Sequence, residues 1–214
     1  MAGVEVRGLF ASPVLAEVWP GARLHNAALR SAIAARQAAT PGVAKSNVLG
    51  WQSDIDMLRW GGGAARALAD HVLARCDDIS VDLRGERLAN WYPEMWANVS
   101  TARASNQTHA HPGSFWSAVY YVDDGYAGSA DKALGGELTF LDPRFPMVRL
   151  RTPDLRATGA DGVPEHHEVW FRPRLGMLVM FPSWLQHAVR PYQGQGRRIS
   201  IAINVSLTRL AALP

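Results

Sequence analysis

The sequence predicts a mainly β fold with helices at its N-terminal end, of the jelly-roll or barrel kind. Three observations carry this expectation. Apolar residues keep a helical period through roughly the first ninety residues and a period of two afterwards. The later stretch breaks into short apolar runs separated by Gly/Pro-rich turns. Helices and strands follow one another in blocks, without the strand–helix–strand alternation that builds a parallel sheet.

In the segment 24–39, Leu29 and Ile33 fall on one helical face, and Leu68, Val72, Leu73 and Cys76 share a face of a second helix. Between them, residues 41–63 mix Pro, Gly, Ser and Asn with Trp51 and Trp60, which reads as an irregular segment pinned by aromatic side chains. Candidate strands follow at 94–100, 115–122, 137–141, 147–151, 168–171, 177–181, 187–190 and 198–207. Short strands in that number suit a jelly roll or barrel. The stretches 123–135 and 152–167 are long and polar, and are expected to be substrate lids or plain insertions. At 214 residues without a repeat, the chain is expected to form a single domain, 1–214, in which a helical N-terminal region, residues 1–90, packs on a jelly-roll core, residues 91–210.

Composition narrows the function classes. A hydrophobic content of 48% and eight tryptophans describe a chain able to bury a large core. The net charge is only +3 and the arginines are scattered, so no nucleic-acid partner is expected. Cys76 is the only cysteine, which excludes an internal disulfide and any multi-cysteine metal site; on a helical face it reads as core filler. The N-terminal stretch lacks the pattern of a signal peptide, and no run reaches the ~18 apolar residues of a membrane span. A cytoplasmic protein without a membrane partner is expected; the oligomeric state is left open, and Trp-rich surfaces are compatible with a homodimer.

Chemistry concentrates in the histidines. His109 and His111 lie two residues apart, and in extended structure such residues share a face, so both imidazoles can converge on one ion. His187 opens a strand directly after the Pro182-Ser183 turn, and strand ends distant in sequence can meet across a barrel opening. Three side chains on one triangular face leave the opposite coordination positions open, as non-haem iron sites do, although imidazole also suits zinc, copper or nickel. His166 and His167 sit in a Gly/Pro/Glu-rich loop, and His25 and His71 in the helical half; none of these is expected to ligate.

The pieces HAHPGSFWSAVYYV (109–122), GGELTFLDPR (135–144), GMLVMFPSWLQHAV (176–189) and RRISIAINVSL (197–207) occur in order, with SNVLGWQSDIDM (46–57) upstream. Together they resemble the double-stranded β-helix superfamily of 2-oxoglutarate and Fe(II)-dependent oxygenases, and within it an uncharacterised bacterial group with a His-x-His-Pro motif. The resemblance implies a cupin-like double-stranded β-helix and a dioxygenase that uses Fe(II) and 2-oxoglutarate to hydroxylate an unidentified substrate. It places His109 at the first iron ligand and His187 at the distal histidine, with no catalytic side chain beyond the metal ligands. Arg198 falls where a basic residue anchors the far carboxylate of 2-oxoglutarate, with Ser200 completing an Arg-x-Ser pattern. A guanidinium can grip a carboxylate through two parallel hydrogen bonds, and the hydroxyl at i+2 points the same way. Arg197 is the better candidate for a surface ion pair.

Tyr121 falls where relatives place a hydroxyl beside that carboxylate, Tyr120 then facing the other way, and Asn98 is a further candidate for the cosubstrate. Gly135 and Gly136 are expected to serve the backbone, and Trp116 or Trp184 to line the substrate side or fill the core.

His111 departs from the resemblance, because the superfamily carries Asp or Glu there. If it ligates, the metal is held by three neutral imidazoles. That arrangement also fits a cupin-type dioxygenase without 2-oxoglutarate. Alternatively, water or a carboxylate such as Glu137 takes the third position. A non-catalytic jelly-roll module binding a metal or small acid is the remaining reading.

Overall fold

The computed structural model describes residues 9–86, 90–147, 152 and 154–208. The architecture is organised around β11 (Arg198–Leu207), which pairs along its whole length with β4 (Trp91–Ser100) and on its other side with β6 (Trp116–Asp123). β9 (Met177–Pro182) and β1 (Leu15–Val18) extend this sheet beyond β6, and β3 (Trp51–Gln52) extends it beyond β4. A second, five-stranded sheet runs in the order β2 (Asn47–Val48), β5 (Ser105–His109), β10 (His187–Val189), β7 (Leu138–Leu141), β8 (Glu168–Phe171). All pairings in both sheets are antiparallel. From β4 onward the chain passes back and forth between the two sheets, which makes the expected double-stranded β-helix.

Each strand of the larger sheet has two jobs, because alternate side chains point to opposite faces. On β11, Ile199, Ile201, Ile203 and Val205 are buried in a core shared with the helices, while Arg198, Ser200, Ala202 and Asn204 line the cavity between the sheets. The helices cover the outer face: α1 (Ala22–Ala39) contributes Leu29 and Ile33, and α3 (Gly62–Asp78) contributes Leu68, Val72 and Cys76. Ala64, Ala65 and Ala69 let α3 approach the core closely. Each fully buried Ile or Leu here contributes roughly 1.5–3 kcal/mol. A smaller core between the sheets gathers Tyr121, Leu138, Phe140, Val179 and Phe181.

Three expectations change. The segment 41–63 holds β2, β3 and α2 (Met57–Trp60), elements too short to show a period. Its aromatic pins are real: Trp51 Nε1 donates to the Thr40 carbonyl at 3.1 Å, and Trp60 Nε1 to Asp56 Oδ1 at 3.1 Å. The polar sequence SNQTH forms β5, although nothing in it resembles an alternating strand. The loop 123–135 is a fastened insertion, since Tyr126 Oη donates to the Gly135 carbonyl at 2.6 Å and Arg172 lies 3.9 Å over the Tyr126 ring. Gly135 has φ +62°, and a Cβ there would lie 2.1 Å from the Pro191 carbonyl oxygen, so glycine is required. The strand expected at 147–151 falls outside the described residues except for Met147. Among the described residues no helix is long and apolar enough to cross a membrane.

Candidate metal centre and anion pocket

Pairing of β5 with β10 puts the Cα of His187 opposite that of His109. His111 lies two residues beyond the end of β5, where the chain leaves the smaller sheet for β6; its backbone N–H donates to the Ser183 carbonyl at 2.9 Å, which ties it to the turn after β9. The three rings converge: centroids lie 4.3 Å apart for His109 and His187, 4.9 Å for His109 and His111, and 5.1 Å for His111 and His187. One nitrogen from each falls within 4.8 Å of the others, a donor set able to hold a single ion.

Hydrogen bonds fix which nitrogen is free. His109 Nδ1–H donates to the Gln107 carbonyl at 2.7 Å, and His187 Nδ1–H to the Leu185 carbonyl at 2.9 Å. A carbonyl can only accept, so Nε2 of each ring carries the lone pair that could hold a metal, with Ser46 Oγ 3.5 Å from that of His109. Burial holds all three imidazoles neutral: it lowers the pKa of His109, takes His111 to about 4 with help from neighbouring His109, and takes His187 to about 3. No carboxylate joins the group among the described residues. Glu137, the acid considered for the third position, is buried between Arg172 and Arg190, at 3.6 and 3.5 Å.

On the larger sheet the cavity wall becomes basic. Arg198 is only 1% exposed, and its Nε and Nη2 are buried without a hydrogen-bond partner. No carboxylate pairs with it among the described residues. Leaving a buried guanidinium uncompensated is costly, by several kcal/mol, so this arrangement fits an anionic ligand. Ser200 sits two residues along the same face, opposite Asn98 on β4 and Tyr121 on β6. Tyr121 Oη and Asn98 Oδ1 are likewise buried and unpartnered, and the Arg198 Cζ lies 5.0 Å from the Tyr121 ring. Burial raises the Tyr121 pKa against the opposing charge of Arg198, so the phenol stays a neutral donor. Histidines and arginine border one cavity of about 780 Å³. The residues therefore fit both a divalent metal and a carboxylate-bearing cosubstrate.

The other sequence candidates lie elsewhere. Trp116 is core, its Nε1 donating to Ser80 Oγ at 2.8 Å, and Trp184 borders a separate surface groove. Tyr120 faces α1 and donates to Asn26. Arg197 is exposed. His25 stacks on Trp19, His71 pairs with Glu17, His167 stacks on Phe145, and His166 borders the outer groove. Sequence reasoning missed Trp96 and Glu94, which line the cavity with Asn98 as alternate residues of β4; the same period-two rule applied to Asn98 points to both. It also missed Ser46, Gln52 and Asp54, because the irregular segment carrying them gives no periodic signal.

Fold and site together define a jelly-roll protein in which three histidines able to hold a metal ion border one cavity with a buried, unpaired arginine. Residues 94–204 match the model of the family described as "Putative 2OG-Fe(II) oxygenase", and the chain belongs to that family. It is accordingly an oxygenase with Fe(II) as its metal and 2-oxoglutarate as its cosubstrate. No curated protein matches the chain.

Solved structures show the same fold. A prolyl-4-hydroxylase from Pseudomonas putida is 20% identical, with a TM-score of 0.59 over 94% of this chain and 93% of that one. HygX from Streptomyces hygroscopicus, solved with nickel and 2-oxoglutarate bound, is 15% identical, with a TM-score of 0.62 over 94% and 85%. A prolyl hydroxylase from Trichoplax adhaerens, in complex with a hypoxia inducible factor peptide fragment, is 13% identical, with a TM-score of 0.59 over 91% and 83%.

Proposed function

We propose that the chain hydroxylates a C–H bond of its substrate, holding Fe(II) through His109, His111 and His187 and 2-oxoglutarate through Arg198, Ser200, Tyr121 and Asn98. The observation that carries this is the placing of three converging neutral imidazoles and an unpaired, buried guanidinium in one cavity. When bound, iron and cosubstrate supply the activation of dioxygen, coupled to decarboxylation of 2-oxoglutarate. The protein binds, orients and excludes water.

Backbone carbonyls of Gln107 and Leu185 lock the tautomers of His109 and His187, so Nε2 of each ring is the atom that would hold the ion. Arg198 takes the far carboxylate of 2-oxoglutarate, with Ser200 and the neutral Tyr121 hydroxyl as further donors, and Asn98 reaches it from β4. A dioxygenase working without 2-oxoglutarate would leave Arg198 without a role. The single-domain reading, 1–90 on 91–210, is supported by the core that α1 and α3 share with the larger sheet. A cytoplasmic location is supported by the lone, buried cysteine, and the absence of a basic run argues against nucleic acid. A homodimer would cover exposed aromatics such as Trp170 and Trp184.

Calorimetric titration of 2-oxoglutarate into Mn(II)-loaded protein tests the assignment. Stoichiometric binding that needs the metal and is lost in Arg198→Ala supports it. Binding unaffected by Arg198→Ala refutes it.

A further inference from the structure

We propose that Tyr126 and Tyr192 are positioning residues for the cosubstrate anchor: with Gly125 and Gly136 they clamp the stem of Arg198 at one depth, which selects 2-oxoglutarate over the keto diacid one methylene longer. The inference rests on reading Arg198 as that anchor. Arg198 opens β11, and its guanidinium is buried at 1% exposure, with Nε and Nη2 lacking a hydrogen-bond partner. Hydrogen bonds therefore do little to place the head, and the packing of the stem must.

The sequence Asp123-Asp124-Gly125-Tyr126 builds one part of that packing. Asp123 Oδ1 accepts from the Gly125 N–H and Asp124 Oδ1 from the Tyr126 N–H, both at 2.9 Å, which turns the chain against the start of β11. A Cβ on Gly125 would lie 3.1 Å from Arg198 Cβ and 2.6 Å from Tyr192 Oη, so the stem runs against bare backbone. Gly136 meets the stem further along. A Cβ there would lie 3.4 Å from Arg198 Cδ, 3.2 Å from a ring carbon of Tyr192 and 3.4 Å from Tyr126 Oη. Stem and both tyrosines thus come together over the two glycines.

Both tyrosines are buried and give their hydroxyls to the backbone of this loop. Tyr192 Oη donates to the Gly125 carbonyl at 2.5 Å, and Tyr126 Oη to the Gly135 carbonyl at 2.6 Å. Each is itself fastened: Tyr192 N–H donates to the Ala104 carbonyl at 2.9 Å, Gln193 N–H to the Leu134 carbonyl at 2.7 Å, and Arg172 lies over the Tyr126 ring. Neither tyrosine lines the cavity, so both act through Arg198 and not on the ligand. A guanidinium bonds a carboxylate only within a narrow range of distance and direction. An anchor held at one depth therefore matches one chain length.

Calorimetric titration of 2-oxoglutarate and 2-oxoadipate into Mn(II)-loaded protein reads the ratio of their affinities. The parent is expected to prefer 2-oxoglutarate by at least about tenfold, the effect of one methylene in a fitted pocket. Tyr126→Phe and Tyr192→Phe keep the rings, and each should cut that preference to about threefold or less. Tyr120→Phe, the same deletion on the helix side of β6, should leave the ratio unmoved whatever it does to the melting temperature. Tyr126→Phe decides on its own if Tyr192→Phe does not fold. A parent that binds both diacids equally, a ratio unmoved in the clamp variants, or an equal fall in Tyr120→Phe overturns the clamp. Failure of the parent to bind 2-oxoglutarate, or binding that survives Arg198→Ala, overturns the anchor reading and the clamp with it.

Discussion

His187 on β10 faces His109 on β5 across one antiparallel pairing, with ring centroids 4.3 Å apart and each Nδ1–H given to a backbone carbonyl two residues earlier. Loss of even an outer partner of a metal-binding imidazole weakens a site roughly 10–100-fold, so loss of the ring should weaken it more. His109→Ala and His187→Ala should each lower Mn(II) affinity by more than about 100-fold. His111→Ala should do the same and His111→Asp should retain binding, as read by Mn(II) electron paramagnetic resonance. Unchanged affinity in His111→Ala would restrict the ligand set to two histidines.

Arg198 sets stability against function. Its guanidinium is buried without a partner, so Arg198→Met should leave the melting temperature of the ligand-free protein unchanged or raise it. The same change should remove the stabilisation that Mn(II) plus 2-oxoglutarate gives the parent protein, because a ligand stabilises only the state it binds. Differential scanning fluorimetry reads both. A lower ligand-free melting temperature would mean that Arg198 is a structural group.

Neighbouring positions on β11 should behave oppositely. Ile201→Ala empties a fully buried site between sheet and helices, and should cost about 2–5 kcal/mol in urea unfolding with 2-oxoglutarate affinity nearly unchanged. Ser200→Ala should cost little stability and weaken 2-oxoglutarate by a hydrogen bond to a charged group, about 1.5–3 kcal/mol. Equal effects of the two on stability would contradict the alternation of faces.

Cys76 should be inert. Burial raises its thiol pKa to about 12 from an ordinary value of 9.0, with the charge of Asp77 adding to the rise. Folded protein should resist iodoacetamide at pH 8 and be modified in guanidinium, as followed by intact mass. Because the folded pKa lies above the unfolded one, the thiol contributes nothing to pH dependence below about pH 9. Above that, the unfolded state loses its proton first and stability falls as pH rises. Fast modification of the folded state would contradict the buried position.

The fold was legible wherever burial is periodic. β11 matches the expected 198–207 because one-sided packing forces a hydrophobic period that the sequence displays; β8 also matches the expected 168–171, although its adjacent Val169 and Trp170 are both exposed and show no such period. β5 was hidden because its residues, SNQTH, carry no apolar alternation, and β1 because four residues are too few to show a pattern. The histidines stood out by residue type and spacing, and Arg198 through the resemblance carried by RRISIAINVSL. Trp116 and Trp96 show where that stops: composition marks tryptophans as noteworthy, but only the strand register tells which of them faces the cavity. Asp54 lay beyond reach, since its place depends on a non-periodic segment folding back along β4.

Anomalous diffraction from anaerobic crystals soaked with Fe(II) and 2-oxoglutarate tests the central assignment most directly. The prediction is one iron peak at about 2.0–2.2 Å from one nitrogen each of His109, His111 and His187, with the far carboxylate of 2-oxoglutarate on Arg198. Iron held without His111, or 2-oxoglutarate bound away from Arg198, would contradict it.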